Sequence, residues 1–225
     1  MDNLPIHIHL TFIVITLSTF GILFYFLKIK QGVFNWKIAT IVVLWLILQT
    51  VLSLSGFYET FDLKPPRFLF VIMPALVFVT LRIIKGRNLP AVEYIGYIHI
   101  VRIPVEIVLY WLADEKVIPE IMTFRGRNFD IFAGIILPVV TYLYYERRLI
   151  TKNALLIFNI YGVVSLVNIV GHGVLSAPTP FQQYGFEQPN IAIFHFPFIW
   201  LPAFVVPSIL FAHLSTLKSL IKIKK

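Results

Sequence analysis

No cysteine occurs anywhere in the chain, which excludes disulfides, thiolate nucleophiles and Cys-ligated metals. Charge is scarce too. Only 13% of the 225 residues are Asp, Glu, Lys or Arg, while 58% are hydrophobic and the mean hydropathy is +0.84. A soluble domain of this size needs far more polar surface, so the composition is that of an integral membrane protein whose first partner is the lipid bilayer. Acids are the scarcer sign: 11 Asp and Glu stand against 19 Lys and Arg, leaving a formal +8. In a soluble chain that excess would point to nucleic acid. Here its placement follows topology, and no nucleic-acid partner is expected. Internal repeats and low-complexity linkers are also missing, so residues 1–225 read as a single transmembrane domain. The start, Met1-Asp2-Asn3-Leu4, lacks a basic segment and a small-residue cleavage pattern, so the first apolar run reads as a retained span.

What is present is a series of apolar runs, each near the roughly 20 residues needed to cross a bilayer. They run from Ile8 to Leu27, Ile38 to Phe57, Phe68 to Ile84, Tyr94 to Trp111, Phe129 to Tyr145, Ala154 to Leu175 and Ile191 to Leu214. The expected fold is therefore all-α, a polytopic transmembrane bundle of seven spans. Basic residues orient it. Lys28, Lys30, Lys37, Arg82, Lys85, Arg87, Arg147, Arg148, Lys152 and the tail lysines Lys218, Lys222, Lys224 and Lys225 share one side. The other side holds only Lys64, Arg67, Lys116, Arg125 and Arg127, and most of the acids: Asp2, Glu59, Asp62, Asp114, Glu115, Glu120, Asp130 and Glu187. The positive-inside rule then predicts an N-terminus outside and a cytoplasmic C-terminus. Two long connections on the outer side, Ala113 to Asn128 and Ser176 to Asn190, mix aromatic, amide and turn-forming residues and can fold back over the bundle.

Charge inside a span costs about 2.5–3.5 kcal/mol even on lenient insertion scales, so it marks function. The fourth run carries His99, Arg102 and Glu106, spaced to share one helical stripe near mid-depth. Two readings stand. In one, Arg102 clamps a ligand carboxylate or phosphate; in the other, Arg102 and Glu106 form a structural ion pair. Pro104 between them removes a donor to the Ile100 carbonyl and predicts a bend. Asp130, Arg125 and Arg127 complete the candidate ligand-binding set as a polar rim, with Asn128 as a helix cap before Asp130. No metal motif occurs. His172 and His195 are only weak candidate metal ligands, His7 and His9 share a face only if extended, and His213 reads as an interface residue. Asn159 and Asn168 are expected to bond between helices, and Gly171 and Gly173 to permit close approach. Pro197, Pro202 and Pro207 predict kinks in the last span, and Phe194, Phe196, Phe198 and Trp200 an interfacial belt.

The segments Arg102-Ile103-Pro104-Val105-Glu106, Met122 to Asp130, Ser176 to Gln182 and Phe196 to Pro202 together resemble an uncharacterised family of bacterial seven-span membrane proteins. That resemblance implies a bacterial inner membrane and brings no activity or cofactor with it. Microbial rhodopsins are similar in span count alone, since no lysine precedes Lys218 in the last span to carry a retinal Schiff base. The expected function is binding or transport of a small anionic or amphipathic molecule through an outward-facing polar cavity. Its floor would be Arg102 and Glu106, and its cover the two long loops. The alternatives are an intramembrane enzyme acting on a lipid-like substrate, metal-dependent or not, and a structural subunit of a membrane complex.

Overall fold

A computed structural model describes residues 4–61, 65–85 and 90–222. Asp2, Asp62, Lys64, Arg87, Lys224 and Lys225, all used above to orient the chain, lie outside the described residues. The elements are α1 (Ile6–Gln31), α2 (Trp36–Leu54), α3 (Leu69–Lys85), α4 (Val92–Ile95), α5 (Arg102–Asp114), α6 (Asp130–Tyr145), α7 (Lys152–Leu175) and α8 (Val206–Lys222), with short 3₁₀ segments and no strand among the described residues. The chain is all-helical, as its composition demands.

Local chemistry sets several boundaries. Gly32 adopts a left-handed conformation and its N–H donates to the Lys28 carbonyl at 2.8 Å, ending α1. The Asn35 side chain accepts from the Ile38 N–H at 3.2 Å and opens α2, and Thr151 does the same for Ala154 at the start of α7. α4, the 3₁₀ segment Gly96–Val101 and α5 form one rod, Val92–Asp114, at the centre of the bundle. α1, α6 and α8 pack around it. Its 3₁₀ portion lies tight against α6, where a Cβ on Gly96 would sit 2.0 Å from the Thr141 hydroxyl oxygen. The irregularity expected at Pro104 is thus placed just before Arg102, as 3₁₀ turns rather than a break after it.

Among the described residues, five helices are long and apolar enough to cross a membrane: Ile6–Gln31, Trp36–Leu54, Val92–Asp114, Lys152–Leu175 and Leu201–Ile221. α3 and α6 are shorter, at 17 and 16 residues. At about 1.5 Å per residue they fall short of roughly 30 Å of hydrocarbon.

The last span departs most from expectation. It begins with a π-helical turn, Leu201–Val205, and continues as α8, instead of starting at Ile191. Residues 191–200 form a 3₁₀ turn and further turns that include a cis Phe196–Pro197 bond. This segment is apolar because it is core. Ile193, Phe194, Phe198 and Ile199 are buried, with Phe198 against Phe12 and Phe194 against Phe61 and Phe68. Phe194 and Phe198 are therefore not an interfacial belt. Pro207 has no N–H to give the Ala203 carbonyl four residues back, and the Trp45 indole of α2 donates to that oxygen at 3.0 Å instead. The Trp200 indole reciprocates toward α2, donating to Thr50 Oγ1 at 3.0 Å and the Leu46 carbonyl at 3.2 Å. A mostly exposed α2 is thereby held by directed bonds.

Candidate functional site

Arg102 opens α5 at the centre of the bundle and is 2% exposed. Its guanidinium makes a bidentate pair with Asp130, the first residue of α6: Nε donates to Oδ2 at 2.6 Å and Nη2 to Oδ1. Nη2 also reaches Ser165 Oγ at 2.9 Å and the Gly162 carbonyl at 3.1 Å, both on α7, and Ser165 in turn donates to Asp130 Oδ1 at 2.9 Å. Nη1 lies 3.1 Å from His213 Nε2 on α8. A guanidinium has only donors, so Nε2 accepts, and the ring proton sits on Nδ1, 3.0 Å from Asn159 Oδ1. One buried arginine thus ties α5, α6, α7 and α8 together.

Gly162 makes that convergence sterically feasible. A Cβ there would lie 2.4 Å from His213 Cε1 and 2.7 Å from Leu137 Cδ1. The ring of His99 lies over that of His213, with centroids 4.1 Å apart at 35°, and neither of its buried nitrogens has a hydrogen-bond partner.

His99, Arg102 and Glu106 do share one buried face, but the structure rejects an Arg102–Glu106 ion pair. Arg102 faces Asp130. Glu106, one turn further on, accepts from Asn128 Nδ2 through Oε1, while its Oε2 is buried with no partner. Asn128 serves the site twice. Its Nδ2 also donates to the Met122 carbonyl at 3.0 Å, and its Oδ1 accepts the Asp130 N–H at 2.9 Å, orienting the start of α6.

The remaining candidates disperse. Arg125 is exposed, pairs with Asp114 at 2.9 Å and lies over the Tyr110 ring at 4.1 Å. Arg127 is exposed and is held through its backbone: its carbonyl accepts from Asn168 Nδ2 at 2.7 Å and its N–H donates to the Ile121 carbonyl at 3.1 Å. His172 bonds the Asn168 carbonyl through Nδ1 and meets the Tyr184 ring at a tilt, with centroids 5.4 Å apart, whereas His195 lies 3.7 Å from Glu59. They do not converge, and no group of three His, Asp or Glu side chains suited to a metal occurs among the described residues. His213 is the largest correction: it is fully buried in the charged knot, because α8 continues to Lys222 and leaves it well inside the helix. Ser165 and Gly162 were missed as site residues. Their signal was present as a polar and small stripe, Asn159–Gly162–Ser165, along the buried face of α7.

Above the knot, toward the two long loops, lies a cavity of about 370 Å³. Its walls are apolar residues of α3, α5, α7 and α8, and Arg102, Glu106, Asp130 and Asn190 give it its polar lining. α3 and α7 each pack on α8 and not appreciably on one another. The cavity reaches the surface between them, where Val167 both lines it and is 63% exposed. Over the loop end, the two connections are knitted together: the Gln188 side-chain amide donates to the Ala113 carbonyl at 3.0 Å, and the Ile191 N–H to the Val117 carbonyl at 3.1 Å.

A family model, a domain of unknown function (DUF8737), matches residues 67–221. The chain belongs to this family. Every residue that lines the cavity or joins the Arg102 knot falls inside the DUF8737 region, whereas α1 and α2 precede it. No curated protein and no solved structure matches the chain.

Proposed function

We propose that the protein binds a small amphipathic molecule, taken up from the bilayer through the cleft between α3 and α7. The observation that carries this reading is the cavity itself: an apolar chamber with a surface opening on apolar helices, ending at a buried carboxyl oxygen that has no partner. Its size is within the roughly 300–1,000 Å³ of small-molecule sites, and its few convergent polar groups are typical of them. An anionic ligand held by Arg102 is the weaker half of the sequence expectation, since Arg102 is already bound to Asp130, Ser165, Gly162 and His213. Those bonds close the chamber floor, which favours binding over passage.

The reading carries a topology with it. All seven runs cross, with α3 and α6 as short crossings, the N-terminus outside and the tail in the cytoplasm of a bacterial cell whose inner membrane holds the protein. The cavity then opens within the outer leaflet. Substitution at the mouth tests the site. Gly171 lines the cavity, and a Cβ on it meets nothing within 4 Å, so Gly171→Trp can obstruct the opening without a backbone clash. The expected result is loss of co-purifying amphiphile from lipid nanodiscs, read by mass spectrometry, with unchanged thermal stability. Equal recovery from the parent and Gly171→Trp would overturn the proposal.

A further inference from the structure

The cavity presents two buried oxygens without partners, and these specify the head of its ligand. Glu106 and Asn190 are both fully buried, and both line the chamber. Glu106 Oε1 is taken by Asn128, which leaves Oε2 unpartnered. Asn190 Nδ2 donates to the Gly173 carbonyl at 3.0 Å, which fixes the amide and leaves Oδ1 unpartnered. An unpaired buried polar atom costs about 1–3 kcal/mol. Two in one apolar chamber are a standing demand for hydrogen-bond partners that the protein does not meet from within, because the Arg102 guanidinium is directed into the knot below. Arg102 and Asp130 pair with each other, and Glu106 adds a buried carboxyl with no basic partner.

We infer that the ligand is a hydrocarbon-tailed amphiphile with a hydrogen-bond-donating head, either a hydroxyl that donates to Asn190 Oδ1 or a primary ammonium that donates to both Asn190 Oδ1 and Glu106 Oε2. This rests on the amphiphile-binding reading above and names its substrate class. A carboxylate or phosphate head would instead set anionic oxygen against the Asn190 amide oxygen in a low-dielectric chamber.

The test uses the full chain in lipid nanodiscs with three probes of one tail length: tetradecanol, tetradecylamine and myristate. Saturable binding is followed by native mass spectrometry in the parent, Glu106→Gln, Asn190→Leu and Gly171→Trp. The expected order places the alcohol, the amine or both ahead of myristate by about tenfold or more, the discrimination an unpaired buried acceptor supplies. Preference for the alcohol or for the amine identifies the head and supports the inference either way. Asn190→Leu should weaken every donor-headed probe, and Glu106→Gln the amine most. Myristate binding as tightly as the others, with Gly171→Trp blocking all three, would overturn the head assignment and leave the cavity reading standing. Absence of saturable binding by any probe, or binding indifferent to Gly171→Trp, would overturn the cavity reading as well.

Discussion

Arg102 shows how one residue organises a helix bundle. Its charge is tolerated at the centre because Asp130 meets it in two-point geometry and Ser165, Gly162 and His213 take further bonds. Removing one partner of such a pair strands the other charge, at about 3–5 kcal/mol, whereas replacing both by apolar groups is far milder. Asp130→Ala should therefore melt well below the parent in circular-dichroism scans in micelles, and Arg102→Leu/Asp130→Leu should recover much of the difference. Equal melting of the single and double variants would contradict the pairing. Gly162 is the second sensitive position. Gly162→Ala must displace the His213 ring, since the added Cβ would lie 2.4 Å from Cε1. Overpacking of that kind costs about 1–3 kcal/mol, measured as a lower unfolding midpoint. Gly171→Ala, in open space, should be near neutral and serves as the control.

At the level of elements, irregular backbone is placed where side chains can complete it. Pro207 leaves the Ala203 carbonyl without its helical donor, and α2 supplies Trp45 in exchange. Trp45→Phe keeps most of the ring and removes the bond. The expected loss is about 1 kcal/mol, with faster proteolysis near α2 as the local signature. Ser53 Oγ donates to the Phe194 carbonyl at 2.7 Å and continues this stitching along α2 toward the 191–200 turns. Those turns mislead a hydropathy reading, because burial in protein and burial in lipid both select apolar side chains. Ile191 to Trp200 looks like membrane span and is instead a folded plug between helices. The 3₁₀ segment Gly96–Val101 is a similar case: no residue pattern in the fourth run distinguished it from α-helix, and close packing against α6 at Gly96 accompanies it.

For the whole molecule, the cysteine-free chain is itself an instrument. Single cysteines introduced into the parent can be labelled without background by a membrane-impermeant maleimide. With the proposed orientation, Gln183→Cys in the exposed loop should label on intact cells, and Lys85→Cys at the end of α3 only after permeabilisation. The reverse pattern would invert the topology and move the cavity mouth to the inner leaflet. Labelling of both on intact cells would mean that an odd number of crossings does not separate them.

The sequence alone determined the class, all-helical and membrane-suited, because hydropathy and length depend only on local composition. It also located the buried charged residues along the central rod, since a charge in an apolar run is conspicuous wherever the run folds. It could not say which carboxylate Arg102 would meet. Glu106 is its neighbour by helical spacing, yet Asp130 wins because α6 starts against the Arg102 turn and Asn128 orients that start. Pairing in a bundle depends on the rotation and axial shift of separate helices, and those follow from close approaches such as Gly162 on His213. The tertiary structure likewise decided that Glu106 would keep one oxygen free at the end of an apolar chamber. Whether a buried polar atom is satisfied is a property of everything around it, and no stretch of sequence carries that information by itself.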